Sequence, residues 1–152
     1  GKPVWLVLHA NHAREITVAV RDAVRRLLAA GIPVLGQSVL LAGVNDTEEA
    51  LAALFRAMIA ARIKPYYLHQ LDRAPGTARF HVPIARGRAL LAALRGKLPG
   101  HGFPTYVIDI PGGAGKVPIG PDFLEGAESV RDPAGRLHRL APAHLAPVRG
   151  SG

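Results

Sequence analysis

From Val4 to Ile108, apolar runs of strand length alternate with amphipathic helical stripes, and no other feature limits the fold of this chain so strongly. Val4–Leu8 is a continuous apolar run, the pattern of a strand buried on both faces. Over Ile16–Ala30, Val20, Ala23, Val24, Leu27 and Leu28 fall on one helical face. Thr17 is placed to cap that helix, and Gly31 and Pro33 end it. Val34–Leu41 reads as a second buried strand. Thr47 then opens a helix with Glu48 and Glu49 in its first turn and a stripe of Leu51, Leu54, Phe55, Met58 and Ile59. Lys64–His69 is a third strand, Pro83–Leu98 a third helix followed by Gly100, and Phe103–Ile108 a further strand.

Strands and helices in strict alternation, with short loops, predict parallel βαβ units and an α/β fold. Sites in such folds form at the carboxyl ends of strands. That rule selects His9-Ala10-Asn11-His12, the end of Val34–Leu41, His69-Gln70-Leu71-Asp72, and the segment from Asp109 onward. Beyond Pro121 the pattern changes. Phe123–Leu140 reads as a β-hairpin turning at Asp132-Pro133-Ala134-Gly135, and Ala141–Gly152 as a frayed tail. The expected organisation is a main domain over 1–121, a hairpin extension over 122–140 and a tail over 141–152. Three or four parallel strands do not close a barrel, and Val4–Leu8 would be an unprotected edge strand. The expectation is therefore the C-terminal part of something larger.

Composition narrows the function classes. The chain has 152 residues, 49% of them apolar and 20% charged, which suits one globular domain. No apolar run reaches the roughly 18 residues a membrane span needs, no signal peptide is visible, and a cytoplasmic location is expected. Without cysteine, the chain forms no disulfide and holds no cysteine-ligated metal or iron–sulfur cluster of its own. Its net charge of +8 comes mostly from arginines scattered over helix-like faces, without interleaved aromatics. That pattern describes a solvated basic surface rather than a nucleic-acid site.

Four groups of residues could carry chemistry. Gly112-Gly113-Ala114-Gly115-Lys116 looks superficially like a phosphate loop, but Ile110 stands where the first glycine belongs and Val117 where Ser or Thr would hold magnesium. A glycine turn can let the backbone approach a bulky ligand, and its lysine can form a Schiff base with an aldehyde cofactor. The same turn can equally be a surface loop with a solvated lysine. Asp72 and Asp109, each just past a predicted strand, could neutralise an ammonium or work as an acid–base pair. Asp72 could instead serve the turn Arg73-Ala74-Pro75-Gly76. His9, Asn11 and His12 could touch a ligand at a strand end, and two histidines alone are a weak metal signal. Gln37, inside an apolar strand, needs hydrogen-bond partners that a ligand phosphate or neighbouring backbone would supply.

Taken together, these segments resemble the C-terminal half of the lysine 2,3-aminomutase family, whose members are radical S-adenosylmethionine enzymes that also use pyridoxal phosphate. The matching pieces are Pro3-Val4-Trp5-Leu6, His9-Ala10-Asn11-His12, Glu15-Ile16-Thr17, Ala30-Gly31-Ile32-Pro33, Gln37-Ser38-Val39-Leu40-Leu41, Gly43-Val44-Asn45-Asp46, Lys64-Pro65-Tyr66-Tyr67, Gln70-Leu71-Asp72 and Asp109 through Lys116. Their order and spacing carry the match. The resemblance implies half of a partial (β/α) radical-SAM barrel with a hairpin extension. It implies that Lys116 holds pyridoxal phosphate covalently, that Asp72 and Asp109 grip the ε-ammonium of substrate L-lysine, and that Gln37 contacts the cofactor region. His9, Asn11 and Tyr67 would line the same cavity.

Departures from the family matter equally. Its cluster motif, Cys-x₃-Cys-x₂-Cys, has no counterpart here, so the S-adenosylmethionine-activating [4Fe–4S] cluster would be held outside this chain, and the chain alone is expected to be inactive. A zinc site of some members is absent, because Thr47 and a cysteine-free tail replace its ligands. His69 stands where some members have tyrosine, which leaves open a branch that supplies β-lysine for an elongation factor. Other readings are a degenerate fragment that only binds a phosphate ligand or a partner, and a pyridoxal enzyme without radicals. Homo-oligomerisation stays open; neither nucleic acid nor membrane is an expected partner.

Overall fold

Two threonines set the helices. Thr17 Oγ1 accepts from Val20 N at 3.3 Å and opens α1, Val18–Ala29; Thr47 Oγ1 accepts from Ala50 N at 3.1 Å and opens α2, Glu48–Ala60. A computed structural model describes residues 1–72 and 74–140 of the protein. Helix α3, Ile84–Leu94, stops four residues before the expected Leu98, because Arg95 is extended and Gly96 has a φ of +79°.

Strands β1 (Leu6–His9), β2 (Val34–Val39), β3 (Lys64–His69) and β4 (Thr105–Ile110) lie side by side in that order, all parallel. A fifth strand, β5 (Gly115–Pro118), adds to β4 antiparallel. The expected Phe123–Leu140 hairpin is a separate three-stranded antiparallel sheet of β6 (Leu124–Glu125), β7 (Ser129–Arg131) and β8 (Leu137–Arg139). Its second turn is the expected one: Asp132 Oδ1 accepts from Ala134 N and Arg136 N, both at 2.9 Å. The expected tail, 141–152, lies outside the described residues.

One core joins strand residues Val34, Leu68 and Tyr106 to Val24 of α1, Leu51, Leu54, Phe55 and Met58 of α2, and Leu90, Leu91 and Leu94 of α3. Each such side chain, fully buried, contributes about 1.5–3 kcal/mol. The helices therefore cover one sheet face, and among the described residues no helix covers the other, the open face. This corrects the reading of Val4–Leu8 as buried on both faces: Leu6 and Leu8 pack on the core, while Val4, Trp5 and Val7 are 57%, 62% and 44% exposed. The apolar run is real, but only alternate residues found a cover.

Loops at the strand ends are pinned by a buried asparagine. Asn45 Nδ2 donates to Asn11 O and Val39 O, each at 2.9 Å, and Asn45 Oδ1 accepts from Leu41 N at 2.8 Å. Asn45 is fully buried, so these bonds replace the water it gives up.

Candidate active site

Strand register gathers the expected polar residues on the open face. His9 pairs with Gln37, Gln37 with Tyr67, Val39 with His69, His69 with Val107, and Asp109 with Lys116. Alternation puts Val34, Gly36 and Ser38 toward the helices and leaves Gln37 on the other side. Ser38, the neighbour of Gln37, is the buried polar residue, and its hydroxyl donates to Ala10 O. The register of β2 against β3 skips one residue at Tyr66. Such an irregularity brings two successive side chains to one side. Tyr66 and Tyr67 accordingly stack with ring centroids 3.9 Å apart and a hydroxyl–hydroxyl bond of 3.0 Å.

Strand β4 runs two residues beyond the predicted end, so Asp109 lies within it rather than just past it. The glycine turn is then the link of a β-hairpin, with Asp109 and Lys116 as direct cross-strand partners. Gly112, Gly113 and Gly115 have φ of +82°, +77° and +111°, and a Cβ at any of them would meet nothing within 4 Å. The positive φ at each is by itself enough to favour glycine there.

Asp109 is the hub. Lys116 Nζ donates to its Oδ1, and His69 Nδ1 lies 3.3 Å from its Oδ2. Lys116 Nζ is also 3.5 Å from His69 Nδ1 and 5.7 Å from the Tyr67 ring centroid. The hydrogen bond from Lys116 holds the Asp109 carboxyl below the usual carboxylate range. Burial pulls His69 below its ordinary value, and Asp109 partly opposes that pull. A neutral imidazole carrying its proton on Nδ1 serves Asp109 and leaves Nε2 as an acceptor. Nε2 is buried with no partner among the described residues.

A cavity of about 380 Å³ opens at the ends of β3 and β4, and Asp72 and Asp109 both line it, with His81 on its wall. Lys116 is not among its lining residues. Asp109 thus belongs to both places. The cavity walls are clasped by Gln70: its N donates to Val107 O at 2.7 Å, its Nε2 to Val82 O at 2.9 Å, and its Oε1 accepts from Tyr106 Oη.

The remaining candidates separate. His9 is exposed on the open face. Asn11 has structural employment: its Oδ1 accepts from Val39 N at 2.8 Å, and its N donates to Glu15 Oε1 at 2.7 Å. His12 caps a short 3-10 turn, Ala13–Glu15, its Nδ1 accepting from Arg14 N. Two residues near the site carried no assigned role in the sequence reading, although His69 lies in the selected segment His69–Asp72. His69 was legible, because Tyr67-x-His69 at a strand end presents both rings on one face. His81 follows a short 3-10 turn, Ala78–Phe80, and carries no sequence signal.

Comparison with known proteins bears directly on this hairpin. A family model described as Lysine-2,3-aminomutase matches residues 91–131, the stretch that holds Asp109, the glycine turn and Lys116. The chain is 46% identical over 123 residues to a protein of Aquifex aeolicus provisionally named L-lysine 2,3-aminomutase, covering 81% of this chain and 33% of that one. It is 43% identical over 122 residues to the L-lysine 2,3-aminomutase of Acetoanaerobium sticklandii, covering 80% and 30%. The chain is thus similar to lysine 2,3-aminomutases over about four fifths of its own length. It spans about a third of the length of these relatives. The same family likeness extends to a glutamate 2,3-aminomutase of Clostridioides difficile, 36% identical over 122 residues, covering 80% of this chain and 29% of that one. This likeness therefore leaves the substrate's side chain to be argued from the site.

Proposed function

We propose that this chain contributes the cofactor lysine and the ammonium-gripping acids of an L-lysine 2,3-aminomutase-type isomerase, which moves the amino group of lysine from C2 to C3. Asp109 carries the reading: one carboxylate touches Lys116 on the open face and, with Asp72, lines the cavity at the strand ends. When bound, pyridoxal phosphate supplies an electrophilic aldehyde and S-adenosylmethionine at a [4Fe–4S] cluster supplies a radical. The open sheet face would be the inner wall of a half-barrel.

The residues fit the aldehyde. Lys116 Nζ stands on the open face with 30% of its side chain exposed, beside the Tyr67 ring and an imidazole whose buried Nε2 has no partner among the described residues. Gln37 and His9 share that face and would meet the rest of the cofactor, with Asn11 supporting the loop beside them. The residues do not fit the cluster: with no cysteine, the chain offers it no ligand of the expected kind. Two carboxylates at one cavity attract an ammonium and repel a second carboxylate, which favours lysine over glutamate.

The test is chemical. Pyridoxal phosphate is added to the protein, the adduct is reduced with borohydride, and the labelled peptide is mapped. Label on Lys116 supports the reading; label elsewhere refutes it. Asp72→Asn should weaken lysine binding on the order of tenfold or more, the loss of a charge-assisted contact, with little change in cofactor binding. Equal loss of both would make Asp72 structural.

A further inference from the structure

Lys116 and Asp109 are given separate tasks in the reading above, yet the fold makes them partners. They face each other across the β4–β5 ladder, and the ammonium of Lys116 contacts Asp109 Oδ1. An ammonium ligand gripped by Asp109 would seek that same oxygen. We infer that Lys116 masks the ammonium site of its own enzyme, and that covalent engagement of Lys116 by an aldehyde unmasks it.

The chemistry requires the exchange. To bond an aldehyde carbon, the Lys116 ammonium gives one proton to solvent. Its nitrogen then forms a carbon–nitrogen double bond as the aldehyde oxygen leaves in water. The nitrogen, now doubly bonded to carbon and able to carry at most one proton, no longer holds Asp109 as a three-donor ammonium, and Oδ1 is freed. His69 keeps the carboxylate in place meanwhile, because its Nδ1 serves the other oxygen, Oδ2, at 3.3 Å. The Asp109 pair is partly exposed, with side chains 30% and 40% accessible, so the exchange is neither blocked nor costly. Two bindings linked this way strengthen each other by the same factor. For a partly exposed ion pair that factor is about two- to fivefold.

The inference rests on the assignments of Lys116 and Asp109 proposed above, and its test separates the two. In the first arm, pyridoxal phosphate alone is titrated into the protein, following the absorbance of the lysine–aldehyde adduct and mapping it by borohydride reduction. Asp109→Asn and Asp109→Ala should each bind the aldehyde about two- to fivefold more tightly at Lys116, since the lysine is no longer held as an ammonium. A residue with only a structural role would weaken binding instead. In the second arm, N,N-dimethylbutylamine serves as an ammonium probe that cannot react with an aldehyde. It should bind about two- to fivefold more tightly when pyridoxal phosphate is present, and to Lys116→Gln without it.

Circular dichroism first establishes that each variant is folded. Adduct on Lys116 with unchanged or weakened affinity in both folded Asp109 variants overturns the masking. So does a probe affinity indifferent to Lys116→Gln. Label absent from Lys116 in the unaltered protein overturns the proposed function instead, while the Lys116→Gln arm still decides whether Lys116 screens Asp109.

Discussion

Replacing Gly87 with alanine should destabilise the protein, although the same change in an ordinary helix stabilises it. Gly87 lies inside α3, where alanine gains about 1 kcal/mol from helix propensity. A Cβ there would sit 2.3 Å from Tyr106 Oη, 2.7 Å from Tyr106 Cζ and 2.8 Å from Leu40 Cδ2. Comfortable carbon contacts lie near 3.5–4.0 Å, so helix and strand must part by about 1 Å. Tyr106 cannot yield alone, because its ring is buried and its hydroxyl is bonded to Gln70. Overpacking of this severity costs about 3 kcal/mol, the upper end of its usual range. The net loss is then about 2 kcal/mol, or roughly 4–8 °C in Tm for a chain of this size. Thermal and urea unfolding followed by circular dichroism measure it. Combining Gly87→Ala with Tyr106→Phe removes the closest contact, so the pair should cost about 1 kcal/mol less than the sum of the two. An unchanged or raised Tm in Gly87→Ala would refute the packing argument.

Two further perturbations test the loops and the site. Asn45→Ala removes three hydrogen bonds made by a buried side chain that tie the loops after β1 and β2, and should cost about 3 kcal/mol in urea unfolding; a loss within about 0.5 kcal/mol of zero would mean water replaces the side chain. Burial lowers the pKa of His69 from 6.5, so on acidification the unfolded chain takes up this proton before the folded one does. Stability should therefore be fully present above 6.5 and decline as pH falls toward the folded value, and His69→Asn should flatten that part of the profile; parallel profiles would contradict the burial of the ring.

Local signals in the sequence were reliable where a single residue decides an element. Thr17 and Thr47 cap helices as their positions imply, and β3 spans Lys64–His69 as read. Signals that depend on distant partners were not. The run Val4–Leu8 shows that a strand is buried, but which face is covered depends on helices that follow it. Strand β5 is four residues long and ends in proline, so nothing local announces it; only pairing with β4 makes Gly115–Pro118 a strand. That pairing sets Lys116 opposite Asp109, a contact that a spacing of seven residues does not reveal. Asn45, within Gly43–Asp46, takes its role from partners 34 and 6 residues away, which no local pattern announces.

The sole tryptophan of the chain gives the open sheet face an optical consequence. Trp5 stands 62% exposed just ahead of β1, the edge strand of the sheet. An indole in water emits at longer wavelength than one packed among apolar groups. With no second tryptophan to dilute the signal, its fluorescence reports whether that edge is wet or covered. Any surface that closes over β1 would shift the emission toward the blue, so the molecule carries its own unlabelled gauge of assembly.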